Sequence, residues 1–220
     1  MFERQAWPRV LPFFTYLLFI LIADLLTRLG VGAAPLRWLY PVKIAVVLAL
    51  LLACWSRYEE LRPARLDWRA ALTAVLAGVV VLVLWINLNA GWMTLGEGAG
   101  FDPVTNGKID WLLVTLRIAG AALVVPVMEE LFWRSYLMRW IVAPQFLRVS
   151  PAQLGLRSFV VTVVLFGFEH NLWLAGMVAG AVYGWLYMRS GSLWSPILAH
   201  GVTNGLLGGW IISTGHWTYW

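Results

Sequence analysis

Three short clusters of ionisable and amide side chains interrupt otherwise apolar segments of the chain. They are Glu129-Glu130-Leu131-Phe132-Trp133-Arg134, Phe166-Gly167-Phe168-Glu169-His170-Asn171 and His200-Gly201-Val202-Thr203-Asn204. Ionisable groups in apolar, membrane-spanning segments are costly, so we treat them as functional candidates. Hydrolysis of an amide needs a base to activate water and donors for the developing oxyanion. Carboxylate, imidazole and amide groups can supply both.

The two adjacent glutamates of the first cluster differ in their neighbours. Glu130 and Arg134 are spaced i,i+4 with the acid first, which is the favourable order for an ion pair on a helix. Glu129 points about 100° away around the helix, and four residues further on it meets Trp133 instead of a cation. We therefore predict that Glu130 is mainly structural and that Glu129 is free to act as a general base.

The other two clusters contribute histidines and an amide from separate helices. His170 follows Phe166 by four residues, and His200 and Asn204 are spaced i,i+4 on one helix face. Taken singly, each could merely hydrogen-bond a neighbouring helix. Small-residue ridges let helices approach closely, and we predict that such ridges press the sixth and seventh helices together and hold His200 and Asn204 rigidly. The ridges are Gly176, Gly180, Gly184 and Gly201, Gly205, Gly209.

In combination, the three clusters are more specific than any one of them. The order Glu-Glu-x-x-x-Arg, Phe-x-x-x-His and His-x-x-x-Asn resembles the CPBP family of type II CAAX prenyl endopeptidases and bacteriocin-processing relatives. The matching positions are Glu129, Glu130, Arg134, Phe166, His170, His200 and Asn204. The resemblance covers about residues 111–212. The compact length also resembles a bacterial branch found beside exosortase sorting systems.

The resemblance implies an intramembrane endopeptidase of the glutamic type. It implies that Glu129 activates a water with help from His170, and that His200 and Asn204 stabilise the oxyanion. Glu130, Arg134 and Phe166 are implied to support them. We expect no cofactor and no metal; were a metal bound, its ligands would be Glu129, His170 and His200.

The composition places this chemistry in a membrane. The chain has 220 residues, of which 61% are hydrophobic and 12% charged, against roughly 45–50% and about 25% in soluble domains. This excludes a soluble globular domain, a disordered chain and a nucleic-acid-binding module, and one cysteine excludes an internal disulfide. Spans of about 20 residues allow seven in this length.

We predict an all-α, polytopic membrane protein of about seven spans, within a range of six to eight. The apolar runs are 11–27, 38–55, 70–88, 111–141, 158–170, 172–188 and 193–212. Residues 1–220 would form a single membrane domain, with accessory helices in 1–110 and a four-helix catalytic core in 111–213. The run 158–170 is too short to span about 30 Å of hydrocarbon, so either the helix begins earlier, near Ala152, or its polar tip at His170 stays submerged and suggests a pocket at membrane depth.

Basic residues predict a cytoplasmic N-terminus by the positive-inside rule. With that orientation the inner side collects Arg4, Arg9, Arg57, Arg62, Arg65, Arg69, Arg134, Arg139, Arg148, Arg157 and Arg189. The outer side receives only Arg28, Arg37 and Lys108. Three further charges, Asp24, Lys43 and Arg117, are interpreted as snorkelling or locally paired. We expect the bacterial cytoplasmic membrane.

Other functions stay open at this stage. A zinc protease is possible in principle, but no His-Glu-x-x-His motif occurs. A non-catalytic immunity or scaffold protein could use the same fold, and a proton-coupled transporter could use the same residue types. The expected partners are the lipid bilayer and a membrane-associated peptide or protein substrate, with no nucleic acid. The sequence does not indicate whether the substrate is prenylated or what the oligomeric state is.

Overall fold

The computed structural model describes residues 4–62, 66–96, 100–105 and 107–220. Within these residues, seven helices of 13 or more residues occur where the seven apolar runs lie, and one short helix, α2 (Ala33–Leu36), lies between the first two. The long helices are α1 (Trp7–Arg28), α3 (Leu39–Ala53), α4 (Trp68–Asn87), α5 (Trp111–Trp140), α6 (Leu156–Phe168), α7 (Trp173–Ser190) and α8 (Trp194–Thr214). The only strands in the described part of the chain form a two-residue hairpin, β1 (Val104–Thr105) and β2 (Lys108–Ile109).

The all-α membrane fold is thus confirmed. Among the described residues, four helical segments are long and apolar enough to cross a membrane: Trp7–Arg28, Ala33–Ala53, Trp68–Asn87 and Trp111–Trp140. Helix α6 has only 13 residues and begins at Leu156, so it keeps the short length expected from the sequence. The prediction of seven complete spans, with its range of six to eight, stays a prediction.

Not all of the basic residues used to predict the topology are solvated. Arg65 lies outside the described residues. Arg9, Arg134 and Arg139 are only 1%, 2% and 6% exposed. These three arginines form hydrogen bonds inside the protein. The exposed arginines include Arg57, Arg62, Arg69 and Arg148.

Helix α5 is irregular on both sides of its glutamates. Residues Gly120–Val124 and Leu131–Leu137 are π-helical, and the short α-helical stretch Val125–Glu130 lies between them. Pro126 has no N–H to donate to the carbonyl of Ala122, which favours a break in the regular ladder at this point. Single π segments are frequent at functional sites because they re-aim side chains.

The glycine ridge of α7 packs against a different helix from the one predicted. A Cβ on Gly176 would lie 3.0 Å from Cα of Gly167, and one on Gly180 would lie 3.2 Å from the ring of Phe166. This ridge therefore faces α6, not α8. Close approach is possible here because Gly167 of α6, like Gly176, has no side chain, so that the two backbones can come together.

The predicted glycine ridge of α8 faces α5 instead. A Cβ on Gly201 would lie 2.8 Å from the carbonyl oxygen of Ala122, and Gly205 also faces Ala122. No atom of the described residues lies within 4 Å of a Cβ built on Gly209, so that glycine makes no close approach.

Helix α4, predicted to be accessory, packs closely on α8. A Cβ on Gly78 would overlap the carbonyl oxygen of Ala199. The Thr203 hydroxyl lies 2.9 Å from the Gly78 carbonyl oxygen and 3.0 Å from that of Ala199. It also accepts a 2.8 Å hydrogen bond from the Tyr183 hydroxyl. Helices α4, α7 and α8 thus meet at one polar point.

Candidate active site

A cavity of about 250 Å³ lies between the helices that carry the three motifs. Glu129 of α5, His170 at the tip after α6, and His200 and Asn204 of α8 all line it. Four of the sequence-predicted site residues are therefore brought together. Glu130 and Arg134 lie behind this wall, and Phe166 lines the cavity.

Glu130 and Arg134 form the ion pair that their spacing predicts. Arg134 Nη1 donates to Glu130 Oε1 over 3.1 Å, and the two side chains are 3% and 0% exposed. Arg134 Nη2 also donates to the carbonyl oxygen of Gly180 on α7, 3.1 Å away. The guanidinium carbon lies 4.5 Å from the centroid of the Phe166 ring. This pair therefore joins α5 to both α6 and α7.

Glu129 forms no ion pair with any residue that the structure describes. Its side chain is buried, and Oε2 has no hydrogen-bond partner among the described residues. Glu130 Oε2 also lacks a partner among these residues, but Glu130 Oε1 already contacts both Arg134 and His200. A buried carboxylate oxygen without a donor is uncommon and needs an explanation, such as a water or a catalytic role.

His170 is held by the backbone of its own helix. Its Nδ1 lies 2.8 Å from the carbonyl oxygen of Phe166. A carbonyl can only accept, so Nδ1 carries the proton and Nε2 of a neutral ring keeps its lone pair. The ring contacts Phe166 and the edge of Trp85, with centroids 4.9 and 5.3 Å apart.

His200 and Asn204 are each anchored through one polar atom. His200 Nδ1 lies 3.1 Å from Glu130 Oε1, and its ring stacks on Tyr183 with centroids 4.9 Å apart. Asn204 Nδ2 donates to the carbonyl oxygen of Ala121 over 2.9 Å, within the first π segment of α5. The amide keeps a second N–H, and the imidazole keeps Nε2.

The arrangement of possible metal ligands is the next feature of the cavity. In the part of the chain that the structure describes, no group of three or more His, Cys, Asp and Glu side chains is arranged to hold a metal ion. In His200, Nδ1 is directed at Glu130, and in His170, Nδ1 is directed at a carbonyl oxygen. Glu129, His170 and His200 share the cavity without forming a ligand cluster.

Comparison with known families places the motifs in context. Residues 111–206 match the family model described as type II CAAX prenyl endopeptidase Rce1-like. The predicted family resemblance is confirmed for this segment. No curated protein and no solved structure matches the chain. The match supports a CAAX-type intramembrane protease, and it spans α5, α6, α7 and most of α8.

The cavity is not built from the Rce1-like segment alone. Tyr16 of α1, Tyr40 of α3 and Trp85 of α4 also line it, as do Tyr219 and Trp220 beyond α8. Sequence reasoning missed these residues because aromatic side chains in apolar runs do not differ from ordinary packing residues. Only the three-dimensional arrangement brings them to the cavity.

Of the three charged residues interpreted as snorkelling or locally paired, two differ from that interpretation. Asp24 is locally paired as expected, with a 2.9 Å ion pair to Arg28. Lys43 and Arg117 neither pair locally nor snorkel: Lys43 is 8% exposed, and Arg117 lines the cavity. Glu169, next to His170, accepts a 3.1 Å hydrogen bond from Trp133 Nε1.

Proposed function

We propose that this protein is an intramembrane endopeptidase that cleaves a membrane-associated peptide or protein, with Glu129 as general base. One observation carries the proposal. Glu129, His170, His200 and Asn204 line a single cavity, and Glu129 keeps a buried oxygen with no partner among the described residues. The other buried glutamate is bound by Arg134 and His200, which leaves Glu129 as the available base.

The proposed reaction is hydrolysis of an amide by water. Glu129 removes a proton from the water while Nε2 of His170 accepts its second hydrogen as a hydrogen bond. The oxygen attacks the carbonyl carbon and gives a tetrahedral oxyanion. The C–N bond then breaks, and the proton on Glu129 moves to the leaving nitrogen. The products are a carboxylic acid and an amine.

His200 and Asn204 are proposed to stabilise the oxyanion. Asn204 has one N–H left after its bond to Ala121, and this N–H can donate to the cavity. His200 can donate from Nε2 when its ring is protonated beside Glu130, because both nitrogens of an imidazolium are donors. Both side chains are fixed before the substrate binds, which is the condition for effective oxyanion stabilisation.

The test is cleavage by the protein reconstituted in nanodiscs, with a pool of labelled membrane-associated peptides that includes prenylated and unprenylated forms. Wild type should release fragments, and Glu129→Gln should lower kcat by about 10²–10⁴, the usual contribution of a general base. The matched control is Glu59→Gln, the same substitution at an exposed position, which should retain full activity.

Two results would overturn the mechanism. Full activity of Glu129→Gln would remove Glu129 from the chemistry. Loss of activity with a chelator, restored by zinc, would indicate a metalloprotease. If wild type binds peptides but cleaves none of them, a non-catalytic scaffold becomes the better reading. Comparison of membrane-protein C-termini in cells with wild type or Glu129→Gln would then identify natural substrates of an active enzyme.

A further inference from the structure

A second cavity, of about 480 Å³, adjoins the catalytic one. The two share Tyr40 and Arg117 in their walls. Apolar residues of α1, α2 and α3, among them Phe19 and Leu36, line most of the second cavity. Its charged lining residues are Arg37, Lys43, Asp102 and Arg117. It is therefore an apolar cleft with an excess of positive charge next to the proposed catalytic groups.

Lys43 and Arg117 are held by aromatic rings in place of acids. Lys43 Nζ lies 3.7 Å from the centroid of Tyr16 and 4.9 Å from that of Tyr40. The guanidinium carbon of Arg117 lies 4.4 Å from the centroid of Tyr40 and 4.9 Å from that of Phe101. Neither cation has an ion pair or a side-chain hydrogen bond within the described ranges.

The acids nearby do not neutralise these cations. Asp102 Oδ1 accepts a hydrogen bond from the backbone N–H of Val104. Glu129 lines the neighbouring cavity, and no ion pair joins it to Lys43 in the described part of the chain. A cation–π contact contributes about 0.5–2 kcal/mol, less than the several kcal/mol that burial of an unpaired charge costs. The cation–π contacts alone therefore do not offset the cost of burying Lys43 and Arg117, and an anionic partner would.

We infer that Lys43 and Arg117 form an anion subsite that binds a carboxylate of the substrate beside the scissile bond. The inference rests on the proposed function, because Arg117 lines both this cavity and the proposed catalytic one. A carboxylate of a peptide fits better than a lipid phosphate, since Lys43 is the fifth residue of α3 and its side chain is buried among the helices. Arg37, just before α3, already donates to the carbonyl of Val104.

The carboxylate can belong to an acidic side chain or to a free C-terminus, and binding experiments distinguish the two. The probe is one short, labelled apolar peptide in three forms: with a C-terminal carboxylate, with a C-terminal carboxamide, and as the carboxamide with one internal Asp. Binding is measured to Glu129→Gln in nanodiscs of neutral lipid, so that the peptide stays intact.

One or both acidic forms should bind about 10- to 100-fold more tightly than the plain carboxamide, the worth of a charge-assisted hydrogen bond. Lys43→Met and Arg117→Gln, each added to Glu129→Gln, should remove this preference, whereas Arg117→Lys should keep most of it. The matched control is Lys108→Gln, which removes an exposed cation and should leave the preference intact. Thermal unfolding verifies that each variant is folded.

Equal binding of all three forms would overturn the inference, as would a preference that survives both Lys43→Met and Arg117→Gln. A third contrary result is that wild type retains anionic lipid, both variants lose it, and no peptide form is preferred. This result would assign the subsite to a lipid headgroup and would also overturn the inference. A carboxylate preference without cleavage by wild type would overturn the proposed function alone. Cleavage of all three forms with equal KM would overturn the subsite alone.

Discussion

Two buried clusters of arginine and glutamate differ in how completely their polar atoms are bonded. The first, here called the Arg9 cluster, joins Arg9 of α1, Glu60 in the α3–α4 loop and Ser135 of α5. Arg9 binds Glu60 with two hydrogen bonds, Nε to Oε1 at 2.8 Å and Nη2 to Oε2 at 2.6 Å. Its other bonds go to the carbonyl oxygens of Gln5 and Arg57, and Ser135 donates to Glu60.

The glutamate pair of α5 is bonded less completely. Glu130 receives a single bond from Arg134 and one contact from His200, both on Oε1, while one oxygen of each glutamate lacks a partner among the described residues. A fully bonded cluster rigidifies a fold, whereas a partly bonded one keeps capacity for a ligand or a water. We therefore expect the Arg9 cluster to contribute to stability alone, and the α5 pair to contribute to stability through Glu130 and, under the proposed function, to catalysis through Glu129.

The largest loss of stability should come from removing Arg134, the partner of Glu130. Arg134→Ala leaves the fully buried Glu130 without its cation and removes the bond to Gly180, so we expect a loss of about 3–5 kcal/mol. Unfolding of the purified protein in detergent measures this loss. Arg148→Ala, which removes an exposed arginine, is the matched control. A stable Arg134→Ala would show that Glu130 does not need its partner.

Substitutions at the proposed oxyanion residues should lower kcat and not stability. Asn204→Ala should lower kcat by about 10²–10³, the usual cost of one oxyanion donor, while KM changes only a few-fold. His200→Ala should have at least the same effect. Steady-state kinetics on a fluorogenic peptide measure both, with Ser213→Ala on an exposed position of the same helix as the control. An unchanged kcat with a raised KM would make Asn204 a substrate-positioning residue.

Replacing Glu60 tests whether the Arg9 cluster affects the stability of the protein without affecting its activity. Glu60→Gln keeps an acceptor for Arg9 but removes the charge, and we expect a loss of about 1.5–3 kcal/mol, the worth of a hydrogen bond to a charged group. The kcat of the folded protein should stay unchanged. The control is the neighbouring Glu59→Gln. Loss of kcat with normal stability would mean that the Arg9 cluster acts on the cavity.

The smallest effect concerns pH. Burial tends to raise the pKa of Glu60, but hydrogen bonds and charge from Arg9 outweigh it and hold that pKa below the usual 4.5. A lowered pKa in the folded state stabilises the protein above the unfolded pKa, and this contribution is lost as the pH falls through the folded value. The stability gap between wild type and Glu60→Gln should therefore be constant above about pH 5 and narrow below 4.5. A gap that widens in acid would contradict this sign.

Spacing explains which parts of these clusters could be predicted from the sequence. The Glu130–Arg134 pair is local, so the i,i+4 rule found it. The Arg9–Glu60 pair joins residues 51 positions apart, and no periodicity indicates such a contact. The apolar runs likewise predicted the seven helices within a few residues, because hydrophobic length is a local property.

Helix partners were harder to predict than helix positions. The α7 glycines indicated close packing correctly, but their partner is α6 and not α8. Lys43 and Arg117 were interpreted as snorkelling or locally paired because a one-dimensional pattern does not show whether a cation faces lipid or a cavity. The motif residues could be grouped from family resemblance, whereas the aromatic residues of α1, α3 and α4 could not.

The close contact between Gly78 and α8 has a consequence for biosynthesis. Thr203 bonds to the Gly78 carbonyl across 125 residues of sequence. At synthesis rates of about 5–20 residues per second, α4 precedes its partner by roughly 6–25 s. During that time the groove at Gly78 faces lipid or the insertion machinery. The cavity lined by Glu129, His170, His200 and Asn204 can thus close only when α8 enters the membrane, and a chain that stops short of α8 lacks two of these four residues.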